Sequence, residues 1–513
     1  MKTSYIIRSF ATSWVAGLAS AIVGFFLTPY VLHHLGDTEF GLWTLVTTLT
    51  GYYGFLDLGV RSAILRFVSR SRALDNQDEI NRVICTAFYF YLSVCLVAFA
   101  VTGLVFPWLP QTFGVHGETA HAFGRLFLLM GVLQGISLPL NVFAGSVNAA
   151  GRFDLAYVVE TLGLGVRVVL VITAVRAGGG LFAVGAAMLF ANLFCDLLQI
   201  PLALWLIRGL SLRPKWVSKA SLREMFRYAS VTFGVGVGDM LKANISPVLV
   251  GLFMNPAAVT FFSLPARLLR FPVDGTAVMT GIVNPASSHL EAREDFTSLR
   301  RLIRLSVQSA FLILAPMSAI LFIYGRELLR LWVGEAYVSA FPLLVLLTLG
   351  LGCGATQACV QSMLFGIGRH KGLIAYRLGE AGAITLIGGV MLKMYGLEAF
   401  ALVIAITLMI TSLVLVPRHL CRMLGLPLGS YLKDGFLKPV LLTLPFAATL
   451  YALHSWTVVR SWFGLVGVLA AGGVVHLATL AWAAFRPGKK SENQWTSLGV
   501  LEIVAERLRP ILL

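Results

Sequence analysis

Apolar runs of about twenty residues recur along the whole chain, and no other feature constrains its fold as tightly. A helix needs about 20 apolar residues to cross the roughly 30 Å of bilayer hydrocarbon. Runs of that kind lie near residues 10–32, 40–60, 83–106, 122–144, 156–175, 181–207, 228–253, 257–282, 302–323, 340–366, 373–392, 397–416, 435–453 and 461–485. They predict an all-α polytopic membrane protein with about fourteen transmembrane helices. Composition agrees: only 12% of residues are charged and 58% are hydrophobic, whereas a soluble domain has about 25% charged residues. The first run is too long for a signal-peptide core and is expected to stay as a spanning helix.

The basic residues set the orientation. Of the 40 Lys and Arg, thirty fall on one set of alternate links and five on the other, which places both termini on the cytoplasmic side of the membrane. The net charge of +16 then reads as a topology signal facing anionic membrane lipids, with no nucleic acid partner. The six cysteines show no CxxC or Cys/His ligand spacing, so free thiols are expected, with no metal site and no cofactor. His33, His34, His116 and His121 read as solvated loop residues, and Trp43, Trp108 and Trp332 as interfacial anchors near helix ends.

Sliding the chain by about 218 residues reveals a repeat. Thr28-Pro29 matches Ser246-Pro247, Gly151-Arg152 matches Gly368-Arg369, and Asp57 falls on or beside Asp274. The division predicted is an N-lobe of six helices at 1–210, a C-lobe of six at 211–418, a helix pair at 419–485 and a cytoplasmic tail at 486–513. The repeat is parallel, with its axis along the membrane normal. Residues 498–513 suit an amphipathic helix on the inner leaflet. No extramembrane piece is large enough for a catalytic domain, and the longest outer link, 107–121, holds a lone acid, Glu118. A glycosyltransferase or polymer ligase is therefore disfavoured, and the chain is expected not to be an enzyme.

Three stretches carry a family resemblance: Leu35-Gly-Asp-Thr-Glu-Phe-Gly-Leu-Trp43, Phe55-Leu-Asp-Leu-Gly-Val-Arg-Ser-Ala-Ile-Leu-Arg66 and Gly325-Arg-Glu-Leu-Leu-Arg-Leu-Trp-Val-Gly334. With the helix number and two-lobe plan, the chain resembles the Wzx or polysaccharide-transporter type of oligosaccharide flippase, in the superfamily shared with MATE exporters and lipid II flippases. The resemblance implies two six-helix lobes in a V-shaped, MATE-like arrangement around a central cavity. It implies alternating-access movement of an undecaprenyl-diphosphate-linked oligosaccharide, the repeat unit of an O-antigen, exopolysaccharide or capsule. Transfer would run from the inner to the outer leaflet of the bacterial cytoplasmic membrane, with H+ or Na+ as a coupling ion. A polysaccharide polymerase and glycosyltransferases would be partners. Two alternatives stay open, a MATE-like cation-coupled multidrug exporter and a lipid II flippase. Lipid II flippases carry an arginine in the first helix, where residues 10–32 here hold no charge.

Charges inside spans cost about 2.5 to 3.5 kcal/mol each, so those retained should face a cavity or a partner. Lys242 lies about 21 Å along the seventh helix, and Arg267 and Arg270 about 15 to 20 Å along the eighth. Arg267, Arg270 and Asp274 share a helix face, as do Asp239 and Lys242. One reading makes Lys242, Arg267 and Arg270 a cationic patch for the diphosphate or an acidic sugar, with Asp239 and Asp274 holding the cations in place. The other makes these residues ion pairs that lock the two helices. Arg167, on one face with Glu160, is either a substrate contact or part of a lobe-stabilising pair. Asp196, Asp239 and Glu380 are candidate ion-coupling carboxylates, because burial favours the protonated form. Asp57 precedes Arg61 by four residues, the spacing of a helical ion pair, and is also a candidate gate contact. Gly234-Val-Gly-Val-Gly238 lacks phosphate-loop spacing and suggests close packing or a bend, and Gly131-Val-Leu-Gln-Gly135 a helix contact face.

Overall fold

The computed structural model describes residues 3–369 and 371–485. The tail at 486–513, including the amphipathic helix expected at 498–513, lies outside the described residues. Hydrocarbon offers backbone amides no water, so a spanning segment must bond to itself as a helix or close into a barrel. Among the described residues there is no strand, and each apolar run lies on a helix. Among the described residues, eleven helical segments are long and apolar enough to cross a bilayer. The first of these, Thr12–Asp57, holds two of the runs, and the runs at 228–253 and 257–282 lie on two further helices. Leu104 (73%) and Phe463 (91%) are among many exposed large apolar side chains, which a lipid environment tolerates and water does not.

The chain forms two compact units, 1–263 and 264–513. In the first, α1 (Thr3–Gly51) bends at Gly36, whose φ of 71° only glycine adopts without strain. There follow α2 (Val60–Ala73), α3 (Gln77–Val105), a short α4 (Leu109–Thr112), α5 (Gly117–Ala149), α6 (Phe153–Arg176), α7 (Leu181–Leu206) and α8 (Lys219–Phe253), and then α9 (Pro256–Ala292), which begins in this unit. Tyr53, Val60, Ile64, Ile84, Tyr91 and Val142 build its core. Small residues let the backbones close. A Cβ added at Gly131 would stand 2.3 Å from the Thr102 hydroxyl, and one at Gly135 2.7 Å from the Phe99 ring, so the expected GxxxG face packs α5 on α3.

Glycines also line the approach of α1 and α2 to α8 and α9. A Cβ at Gly41 would lie 1.8 Å from the Pro256 carbonyl oxygen, one at Gly51 3.2 Å from Asn244 Oδ1, and one at Gly59 3.0 Å from Ala229 Cβ. Thr260 donates to the Asp37 carbonyl at 2.7 Å along the same seam. Through the segment 234–238 α8 runs on as a helix; Gly238 is buried, whereas a Cβ at Gly236 would meet nothing within 4 Å.

The second unit continues with α10 (Phe296–Val333), α11 (Phe341–Gly366), α12 (Lys371–Ala383), α13 (Gly389–Tyr395), α14 (Leu397–Ile410), α15 (Val416–Leu424), α16 (Leu428–Leu432), α17 (Lys438–Trp456) and α18 (Trp462–Phe485). Three π turns, Ile384–Gly388, Thr411–Leu415 and Lys433–Leu437, join consecutive helices without interrupting the rod. Asp295 caps α10, accepting from the Ser298 N–H at 2.9 Å. Hydrogen bonds from Ser298 hold its carboxyl below the usual range. The Gly325–Gly334 motif closes α10. Arg330 grips Glu335 through two bonds, Glu327 meets His454 of α17 at 3.1 Å, and Gly334 takes φ 111°.

Gly151 and Gly368 both end a helix with left-handed φ, 76° and 68°, and Pro29 and Pro247 both sit inside helices. The tryptophan expectation fails at two positions. Trp108 is 67% exposed, but Trp43 (8%) and Trp332 (4%) are packed inside their units. Trp43 lies edge-on to Phe40, its ring centroid 5.2 Å away, because that end of α1 is covered by neighbouring helices and not by lipid.

Candidate functional site

The first unit encloses a cavity of about 440 Å³ where α1 gives way to α2. Its wall combines apolar groups such as Phe55, Leu65 and Met240 with the polar side chains of Asp57, Arg61 and Asn148. Gly236 of α8 also faces it, the missing side chain leaving room.

The local chain path explains the placement. After Gly51 the helix tightens into a 3-10 turn, Tyr52–Asp57, and then breaks at two left-handed residues, Leu58 (φ 47°) and Gly59 (φ 76°). A left-handed conformation at a residue with a Cβ costs about 1–2 kcal/mol. Such strain persists only where the surroundings enforce it, and it clusters at functional sites. Here the break corrects a sequence expectation. Asp57 and Arg61 do not share a helix and form no ion pair. Asp57 accepts a hydrogen bond from the Tyr91 hydroxyl of α3, while Arg61 opens into the cavity.

Asp196 of α7 repeats this pattern. It accepts from the Ser137 hydroxyl of α5 at 2.5 Å. Gln199, one turn on, keeps a buried side-chain carbonyl without a hydrogen-bond partner. Arg167 donates to Asn192 at 2.7 Å across α6 and α7, with its Nε buried and unbonded, and forms no ion pair with Glu160.

Lys242 lies 3.8 Å from Asp239 within α8, in the first unit. In the second unit, Arg270 donates to Asp274 at 3.3 Å on an exposed face of α9, and Arg267 is half-buried on the same helix. Both spacings expected from the sequence are thus realised as pairs. Asp274 differs from its repeat counterpart Asp57 in lying on an unbroken helix. Glu380 is 2% exposed and accepts from Arg377 at 3.0 Å, and Arg377 also donates to Gln361 at 2.9 Å.

Sequence reasoning missed Arg61, Tyr91, Ser137 and Arg377 as site residues. Arg61 and Arg377 look like topology charges when counted by loop. The signal for Arg61 was Leu58-Gly59, a helix breaker between acid and base. Tyr91 and Ser137 stand in apolar runs with nothing local to mark them.

Comparison with known proteins agrees with this architecture. A family model described as polysaccharide biosynthesis protein matches residues 34–342. A "Putative O-antigen transporter" of Shigella flexneri is 22% identical over 398 residues, covering 75% of this chain and 91% of that protein. An "Uncharacterized membrane protein EpsK" of Bacillus subtilis (strain 168) is also 22% identical, over 95% of this chain and 96% of its own. Among solved structures, the lipid II flippase MurJ in an inward closed conformation superposes with a TM-score of 0.71 at 14% identity, covering 92% of this chain and 98% of that one. An inward-facing MATE family transporter of the MOP superfamily gives 0.66 at 15% identity, covering 82% and 99%. The chain is a multi-pass membrane protein with the MurJ and MATE fold, and it belongs to the polysaccharide biosynthesis protein family.

Proposed function

We propose that the chain is a flippase that moves a polyprenyl-diphosphate-linked oligosaccharide from the inner to the outer leaflet of the cytoplasmic membrane by alternating access. The oligosaccharide would be a repeat unit of an O-antigen, exopolysaccharide or capsule. The observation that carries this reading is Arg61, which forms no ion pair among the described residues and opens into a cavity inside an apolar bundle. Such a group in low dielectric attracts anions, and its planar fork suits phosphate oxygens. A site for cationic drugs would need the opposite charge. Kinship with an O-antigen transporter supports the sugar-linked substrate.

Lys242, Arg267, Arg270 and Arg167 are the other proposed cationic contacts. Asp239 and Asp274 would hold Lys242 and Arg270 in place between substrates, and Asp57 would serve as a gate contact. Asp196, Asp239 and Glu380 would couple transport to H+ or Na+. Both termini would face the cytoplasm, beside the glycosyltransferases that build the substrate, and a polymerase would take the product outside.

The test reconstitutes the full chain in vesicles and follows outward movement of a labelled lipid-linked oligosaccharide under imposed H+ or Na+ gradients. Arg61→Gln, and separately Lys242→Gln with Arg267→Gln and Arg270→Gln, are expected to slow movement by about tenfold or more at normal expression, the cost of a lost charge-assisted contact. Unchanged rates in both variants would overturn the cationic assignment.

A further inference from the structure

We propose that Tyr91 is a positioning residue: its hydroxyl holds the carboxylate of Asp57 off Arg61, so that the guanidinium stays available to an anionic group in the cavity. This deepens the flippase reading and rests on it, the anion being the diphosphate of the lipid carrier.

An arginine that lines a cavity together with a carboxylate four residues before it should be neutralised by that acid. A guanidinium and a carboxylate pair through two parallel hydrogen bonds, a stronger arrangement than a single bond from a neutral hydroxyl. In this structure Asp57 does not take that option: it accepts from Tyr91, a donor on another helix, α3.

The backbone enforces the separation. On a continuous helix, Asp57 and Arg61 would stand one turn apart on the same face and would pair. Leu58 and Gly59, both left-handed, turn the acid towards α3 instead. Gly59 is held there by α8, since a Cβ would come within 3.1 Å of the Ala229 carbonyl oxygen. Tyr91 is fully buried and so has little freedom to release its partner. The strained Leu58 thus has an assigned purpose: it keeps acid and base apart.

Binding of inorganic pyrophosphate to the purified full chain in nanodiscs, measured calorimetrically at low salt, tests this. Arg61→Gln is expected to weaken binding by about tenfold, the loss of a charge-assisted contact. Tyr91→Phe removes only the hydroxyl and is expected to weaken binding several-fold, because Asp57 then closes on Arg61. Adding Asp57→Asn to Tyr91→Phe is expected to restore binding, which a merely structural tyrosine would not allow. Asp57→Asn alone, which leaves no acid to close on Arg61, is expected to bind at least as tightly as the wild type and gives the comparison if Tyr91→Phe does not fold. Wild-type affinity in Tyr91→Phe, no rescue in the double variant, or weaker binding by Asp57→Asn overturns the positioning role and leaves the flippase reading standing. No pyrophosphate binding by the wild-type chain overturns the anion site and the flippase reading together.

Discussion

Alanine at Glu380 is expected to lower the stability of the second unit by about 3–5 kcal/mol, because it removes the carboxylate 3.0 Å from a buried guanidinium. Arg377 is 8% exposed and Glu380 2% exposed, and their 3.0 Å contact lies where water does not reach to compensate. Changing both residues to methionine is expected to cost far less, since two buried charges then disappear together and apolar volume replaces them. Thermal unfolding of the wild type, Arg377→Met, Glu380→Met and the double variant in one detergent, read as a double-mutant cycle, measures the coupling. Coupling near zero between positions 377 and 380 would refute the structural pair. A large coupling would also weigh against Glu380 as a proton carrier, because a carboxylate committed to a buried arginine must first lose it before taking up a proton.

Valine at Gly41 is the second large effect expected. The added Cβ would fall 1.8 Å from the carbonyl oxygen of Pro256 and 2.6 Å from its carbon, both backbone atoms. A backbone cannot step aside as a side chain can, so the loss should exceed the 1–3 kcal/mol typical of overpacking. Gly54 provides the control. Its Cβ would meet Met240 Cε at 2.1 Å, yet that atom ends a flexible thioether that is able to move away. Gly54→Ala is therefore expected to fold with an unfolding midpoint close to that of the wild type, and Gly41→Val to fold poorly or unfold well below it. Equal midpoints would show that α1 and α9 separate at no cost.

The helical architecture was legible because hydrocarbon permits few alternatives. Twenty apolar residues leave a chain little choice but a spanning helix, and the Lys and Arg between such runs are spaced accordingly. Pairs related by local spacing, Asp239 with Lys242 and Arg270 with Asp274, were legible for the same reason. Asp57 was not, since four-residue spacing implies a pair only if the helix is intact, and Leu58 is a residue that ordinarily continues one. Tyr91 and Ser137 reach their acids across 34 and 59 residues, a separation that no local pattern encodes. Trp43 and Trp332 show a related limit: proximity to a helix end says nothing about whether lipid or protein covers that end.

The three π turns bear on how this chain compares with its kin. Each holds one residue more than an α-helix would use there, and one residue shifts the angular phase of everything after it by about 100°. A single-residue insertion has in effect been absorbed at Ile384–Gly388, at Thr411–Leu415 and at Lys433–Leu437 without ending a span. Relatives that lack these extra residues should therefore align with one-residue gaps inside helices and not in loops. Deleting one residue from such a turn would leave the span intact while turning the next segment to a different face.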